Sequence, residues 1–226
     1  MTSLDRQRIS QKGNGCIAIS MDDITIDDAR ILRLQGYRDL GKVRPAIKRA
    51  AASSARETEA LIRAQVYYRL CGVRHCQGKT LLLENGLAFE NEAFQRFLED
   101  AQQIAVFILT MGHALDQAVI DYTANDQLLM ALFLETAGWL GIEAATKRLS
   151  AHLRAQARKS GCRLSPRLGP GYSYKLDGRS VIWPLEQQQT LFELFADDPV
   201  DIRILESCVM LPKISRSGLY GFLPVS

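Results

Sequence analysis

One arginine stands in a loop built largely of glycine and proline. The segment Arg163-Leu-Ser-Pro-Arg167-Leu-Gly169-Pro-Gly171-Tyr172 sets a guanidinium beside backbone that carries few side chains. A guanidinium is a planar fork that suits a carboxylate. Gly169 and Gly171 permit close approach of a ligand to the backbone, and Pro170 stiffens the turn. A second cluster of small and polar residues follows, Glu206-Ser207-Cys-Val-Met210-Leu-Pro212-Lys-Ile-Ser215-Arg-Ser217-Gly218. Glu206 and Ser207 read as strand residues, and Ser215–Gly218 as a turn that faces a partner. Two readings of this cluster stay open. It either walls a ligand site or holds the Arg167 loop in place, and strand residues more often pack.

Other chemistry-bearing residues point to less. Gly72-Val-Arg-His-Cys-Gln-Gly78-Lys79-Thr80 imitates a phosphate loop but has five residues between the glycines where that loop needs four. It also precedes a strand pattern, whereas a phosphate loop opens a helix. Cys71, His75 and Cys76 lack the second pair of ligands that structural zinc uses. His113 and His152 sit in helical patterns, and no Ser/His/Asp or Cys/His arrangement can be assembled. None of the three histidines has an aspartate two residues before it, so the Asp-x-His-x-x-Gly pattern of many corrinoid carriers is absent.

The two clusters together resemble the activation domain of cobalamin-dependent methionine synthase. That domain carries R-x-x-x-G-Y, then a helix, then T-E-S-x-x-M-x-P-x-x-S-x-S-G. Arg167, Gly171 and Tyr172 fill the first element. Glu206, Ser207, Met210, Pro212, Ser215, Ser217 and Gly218 fill the second at unbroken spacing, with Leu205 in place of the threonine. The resemblance covers roughly the last third of the chain. It implies a twisted, mainly antiparallel sheet flanked by helices. It also implies that Arg167 holds the carboxylate of S-adenosylmethionine, with Gly169, Gly171, Tyr172, Glu206 and Ser217 at the same site. The acids that the family places before the arginine have no match in Gly161-Cys-Arg-Leu-Ser-Pro166, so Glu135 or Glu143 is the candidate substitute.

The implied role is that of a free-standing activation module, an accessory subunit for a split methionine synthase. It would present a methyl group to cob(I)alamin on a separate corrinoid-binding methyltransferase core, with a reductant protein restoring the cobalt. Cobalamin would be met only through that partner. An alternative is a non-catalytic cap or chaperone for a corrinoid protein, and a third is a small-molecule sensor.

The elements that must position these residues are mixed. The 226 residues suffice for one domain. Hydrophobic residues at 47% and charged residues at 23% fit a globular chain. The formal charge of +3, from 28 basic and 25 acidic residues, is too balanced to suggest nucleic acid or a membrane surface. Five cysteines at irregular spacing do not read as a secreted disulfide framework. No signal peptide and no apolar run of about 18 residues is evident, so a cytoplasmic protein is expected.

Residues 1–15 read as a flexible tail and 16–226 as a single domain, helix-rich over 16–160 and motif-bearing over 161–226. Strands are expected at Cys16–Met21, Val66–Cys71 and Ile104–Thr110, the last a central one. Asn85-Gly86 predicts a hairpin between Thr80–Glu84 and Leu87–Phe89. Helices are expected after an N-cap segment at Thr25–Asp28 and ending at Gly36, from Pro45 to about Arg63, over Phe89–Ala101 and over His113–Tyr122. A long one follows from Asp126 to about Lys159, bent near Gly138 and Gly141, and another runs over Pro184–Phe195. Without a βαβ rhythm, the pattern predicts an α+β fold.

The isolated chain is expected to be colourless and free of stoichiometric corrinoid or zinc. A visible spectrum and metal analysis check this, and a tightly bound corrinoid would give this chain the role assigned to its partner.

Overall fold

The computed structural model describes residues 7–12 and 15–225. The chain forms β1 (Gln7–Lys12), β2 (Cys16–Met21), α1 (Asp28–Leu34), α2 (Pro45–Leu61), β3 (Ala64–Gln77), β4 (Thr80–Leu83) and β5 (Ala88–Glu90). Then come α3 (Ala93–Leu98), β6 (Gln103–Thr110), α4 (His113–Ala124), α5 (Leu128–Lys159), β7 (Cys162–Leu164), β8 (Ser173–Leu176) and β9 (Arg179–Ile182). The chain closes with α6 (Gln187–Glu193), β10 (Arg203–Ile204), β11 (Met210–Leu211) and β12 (Ser215–Pro224).

Eight strands make one antiparallel sheet in the order β1-β2-β3-β6-β12-β7, with the β4–β5 hairpin continuing from the far end of β3. The fold is α+β, a curled antiparallel sheet with helices on both faces. β6 is apolar from Ile104 to Leu109 because both of its faces are covered. Ala105, Phe107 and Leu109 join the core shared with α1, α2, α4 and α5. Ile104, Val106 and Ile108 join the opposite core, where Trp183 packs edge-on against Phe89 and Phe94.

Local signals explain several boundaries. The Asp27 carboxylate caps α1 by accepting from Ala29 N–H. Pro45 occupies the first turn of α2. Asn85-Gly86 closes the β4–β5 hairpin.

Other expectations are corrected. Residues 7–12, read as part of a tail, pair with β2 over six residues; residues 1–6 lie outside the described residues. β3 runs well beyond Cys71. Phe89 belongs to β5, which leaves α3 only six residues long. α6 starts at Gln187 rather than Pro184. α5 continues uninterrupted through Gly138 and Gly141, whose bare surfaces admit Ile214 and Ile62. By length and composition α5 is apolar enough to cross a membrane. Phe133, Leu134, Ile142 and Leu149 are packed in the core, while Leu128, Leu132 and Trp139 are exposed.

The largest correction concerns the C-terminal cluster. Ser215–Gly218 is no turn. It opens β12, which lies between β6 and β7 and is buried from Ser215 to Leu223. The parts 16–160 and 161–226 therefore share one sheet.

On this strand the Arg167 loop is laid down by backbone contacts. Leu168 and Leu219 exchange hydrogen bonds of 3.0 and 2.7 Å. A Cβ on Gly218 would strike the Leu168 carbonyl, and one on Gly169 would lie 2.9 Å from the Ser217 carbonyl oxygen. Two glycines thus face the backbone of each other's segment, an approach closed to any larger residue. Gly218→Ala is expected to lower stability by about 1–3 kcal/mol, as overpacking does. A urea unfolding midpoint measures the loss, and an unchanged midpoint would contradict the close contact.

Candidate functional site

The loop seated on β12 is held from several sides. Gly169 N–H donates to the Tyr174 hydroxyl at 2.7 Å, and that hydroxyl donates to the Gly169 carbonyl at 3.1 Å. Gly171 N–H donates to the Trp183 carbonyl, and Trp183 N–H to the Tyr172 carbonyl. Gly171 has φ +81°, a conformation that glycine adopts freely. Burial pushes the Tyr174 hydroxyl above its ordinary pKa, against the Gly169 hydrogen bond and nearby Arg167, which lower it. The phenol therefore stays protonated and able to donate.

Beside this loop lies a groove of about 240 Å³. One side is lined by Pro170, Tyr172 and Leu185, the other by Val209 and Met210, with Trp139 of α5 at its edge. Its floor carries Ser215, Arg216 and Ser217 of β12. Tyr172 and Trp139 present 39% and 37% of their surface, so two aromatic faces are open to a ligand.

Gln188, buried on α6, ties the walls together. Ser217 Oγ donates to Gln188 Oε1 at 2.8 Å, and Gln188 Nε2 donates to the Cys208 carbonyl at 2.6 Å. One amide thus joins the strand, the helix and the β10–β11 hairpin.

Arg167 is half-buried and is not itself among the side chains lining the groove. Tyr172 is, and its ring covers the guanidinium at 4.2 Å, a cation–π contact. Arg167 Nη1 is buried without a hydrogen-bond partner. Arg216 does line the groove and is only 7% exposed. It donates to Thr146 Oγ1 at 2.9 Å and to Glu143 Oε1 at 2.6 Å, while its Nε has no partner. Lys213, also lining the groove, pairs with Glu135 at 2.6 Å.

The predicted residues thus divide. Arg167, Gly169, Gly171, Tyr172 and Ser217 come together. Glu206 does not; it sits with Ser207 in the exposed turn joining β10 to β11, not on a strand, and is not among the groove's lining residues. Glu143 and Glu135 reach the site as partners of Arg216 and Lys213. Sequence reasoning missed Arg216 and Gln188. A charged residue between two serines, on a strand flanked by apolar runs, was the signal for Arg216.

Elsewhere, burial pushes the thiols of Cys71 and Cys76 up to about 11. Among the described residues no cluster of three or more His, Cys, Asp or Glu side chains is placed to hold a metal ion.

No family profile and no curated protein matches the sequence. Among solved structures, the chain superimposes on the MetH reactivation domain bound to AdoHcy with a TM-score of 0.60. The match covers 94% of this chain and 79% of that one, at 14% identity. The fold is that of the MetH reactivation domain. Within this fold the two sequence clusters meet where Leu168-Gly169 lies against Ser217-Gly218.

A pH dependence follows from Glu143. Burial raises its carboxyl pKa, but the hydrogen bond and charge of Arg216 outweigh this and hold it below the usual 4.5. A depressed carboxylate contributes stability above its unfolded value and loses that contribution as pH falls through the folded one. Glu143→Gln is expected to flatten the loss of stability below about pH 4.5, read from melting temperatures across an acid series. An unchanged acid slope would show that the pair contributes nothing.

Proposed function

We propose that this chain binds S-adenosylmethionine, or its demethylated product, in the groove beside Arg167, and serves as an accessory subunit for a cobalamin-dependent methyltransferase. One observation carries the reading. Arg167 has a buried guanidinium nitrogen without a hydrogen-bond partner, under the ring of Tyr172, which lines the groove. Support comes from the fold, shared with a domain solved with AdoHcy, S-adenosylhomocysteine, bound.

The chain's own residues would act by holding and orienting. Arg167 would donate to the ligand carboxylate through the N–H groups in the plane of its guanidinium. Tyr172 and Trp139 offer flat apolar faces to a base. Leu185, Val209 and Met210 exclude water from the groove walls. A bound sulfonium supplies a methyl group already activated for transfer to a nucleophile. No side-chain base is required, and the protein contributes proximity and alignment. The nucleophile in this reading is cob(I)alamin on a separate methyltransferase core in the cytoplasm, with a reductant protein returning the lost electron.

A second reading is a cap for a corrinoid protein that binds no such ligand. The Tyr172 ring lying on Arg167 favours it.

Calorimetry separates the two. S-adenosylmethionine is expected to bind the full chain, and Arg167→Ala to weaken binding by about 1.5–3 kcal/mol, the value of a charge-assisted hydrogen bond. With reductant and S-adenosylmethionine, the chain is expected to restore turnover to a methionine synthase core stalled as cob(II)alamin. Absence of binding at millimolar ligand, with a folded protein, would leave the capping reading. Failure to reactivate a core that an authentic activation domain restores would remove the enzymatic one.

A further inference from the structure

One wall of the groove is tied down at a single point. The β10–β11 hairpin, residues 203–211, supplies Cys208, Val209 and Met210 to the lining. Its own hydrogen bonds close on themselves, through two strand pairs, Leu205 N–H to the Val209 carbonyl and Cys208 N–H to the Leu205 carbonyl. Among the described residues its one hydrogen bond to the rest of the chain is the 2.6 Å donation from Gln188 Nε2 to the Cys208 carbonyl. Cys208 is also the only buried residue of 203–211, while Leu205 and Val209 are exposed. It has φ +63°, a conformation that a residue with a Cβ keeps only where its surroundings hold it. The other side of this tie is firm. Gln188 is 3% exposed, its neighbour Gln187 accepts from Trp183 Nε1 and from Glu90 N–H, and Leu191 of the same helix is fully buried. A segment with few buried residues and one outside hydrogen bond opens more readily than the sheet it lies on.

We infer that the β10–β11 hairpin is a flap that opens the groove, and that Gln188 is the positioning residue that holds it shut. The flap concerns the groove itself; only its closure over S-adenosylhomocysteine, used below, rests on the ligand reading above. The amide suits this task because its two ends differ. Oε1 accepts from Ser217 of the firmly paired β12, which orients the amide and turns Nε2 to the hairpin. When the flap lifts, the Cys208 carbonyl meets water and Gln188 stays on Ser217. Lifting uncovers the Cys208 thiol and carries Val209 and Met210 away with it. The accessibility of one thiol therefore reports the opening of the groove.

Labelling of the full chain with methyl methanethiosulfonate, read peptide by peptide, tests this. Cys16, fully buried in β2, reports any general loosening. Gln188→Met keeps the length of the side chain and removes the tie. It is expected to speed Cys208 labelling about tenfold while Cys16 holds its rate. Gln188→Glu can donate to the Cys208 carbonyl only when its carboxyl is protonated, the form that burial favours. It is expected to match the wild type at low pH and to label faster than the wild type, at equal pH, once the carboxyl ionises. A simple packing defect has no such pH signature. Ser217→Ala releases the other end of the amide and is expected to speed labelling about threefold, so the test survives a folding failure of Gln188→Met. S-adenosylhomocysteine is expected to slow Cys208 labelling in the wild type. Cys208 rates untouched by the variants, Cys16 rising in step with Cys208, or a bound ligand that leaves Cys208 unprotected overturns the inference and leaves the ligand reading standing. A ligand that fails to bind overturns the ligand reading alone, and the flap then stands or falls on the variants.

Discussion

The candidate site depends on one close approach of backbone to backbone. Leu168-Gly169 lies against Ser217-Gly218 so tightly that neither glycine has room for a Cβ. Packed interiors respond to a single added methyl by shifting backbone. Here the backbone that would shift carries Arg167 on one side and the groove floor on the other. The contact is therefore a packing constraint and a positional one together. It also explains why two sequence clusters separated by 33 residues, 173–205, belong together. They are the two halves of one interface inside the domain.

The sheet supplies the rigidity behind that interface. β12 is hydrogen-bonded to β6 along eight residue pairs and to β7 along three. β6 is central and apolar on both faces, so β12 is fixed in register by a strand that cannot slip without exposing its core residues. α5 then braces the same strand through Thr146 and Glu143. Functional side chains on a buried strand backed by a long helix are held more firmly than loop residues. Arg216 has that support, while Arg167 depends on the loop contacts of Gly169 and Tyr174.

The parts of the fold readable from sequence were those with local causes. The apolar run of β6, the Asn85-Gly86 turn and Pro45 at a helix start each carry their physics within a few residues. That the Arg167 loop and Ser217 lie close together was readable through the two-part family pattern, which links segments far apart in sequence, and not through any local cause. The failures had distant causes. β1 is polar and becomes a strand by pairing with β2. Ser215-Arg-Ser-Gly looks like a turn because its burial comes from β6, β7 and α5. Glu206 matched a pattern whose Met210, Ser215 and Ser217 line the groove, yet its own position falls in the exposed turn of the hairpin that Gln188 anchors through Cys208. Gln188 itself, one of three adjacent glutamines, has no local feature to distinguish it.

The ring of Tyr172 over Arg167 bears on how the loop holds its charge. The guanidinium is not in open solvent; it is covered by a neighbour worth about 0.5–1 kcal/mol as a cation–π partner. A ring set over the face of a guanidinium leaves the N–H groups in its plane free to donate. The contact therefore narrows the directions the fork can take without using up its hydrogen bonds. A long side chain of many rotamers is ordered in advance by a stiff neighbour, and any bond it makes loses that much less entropy.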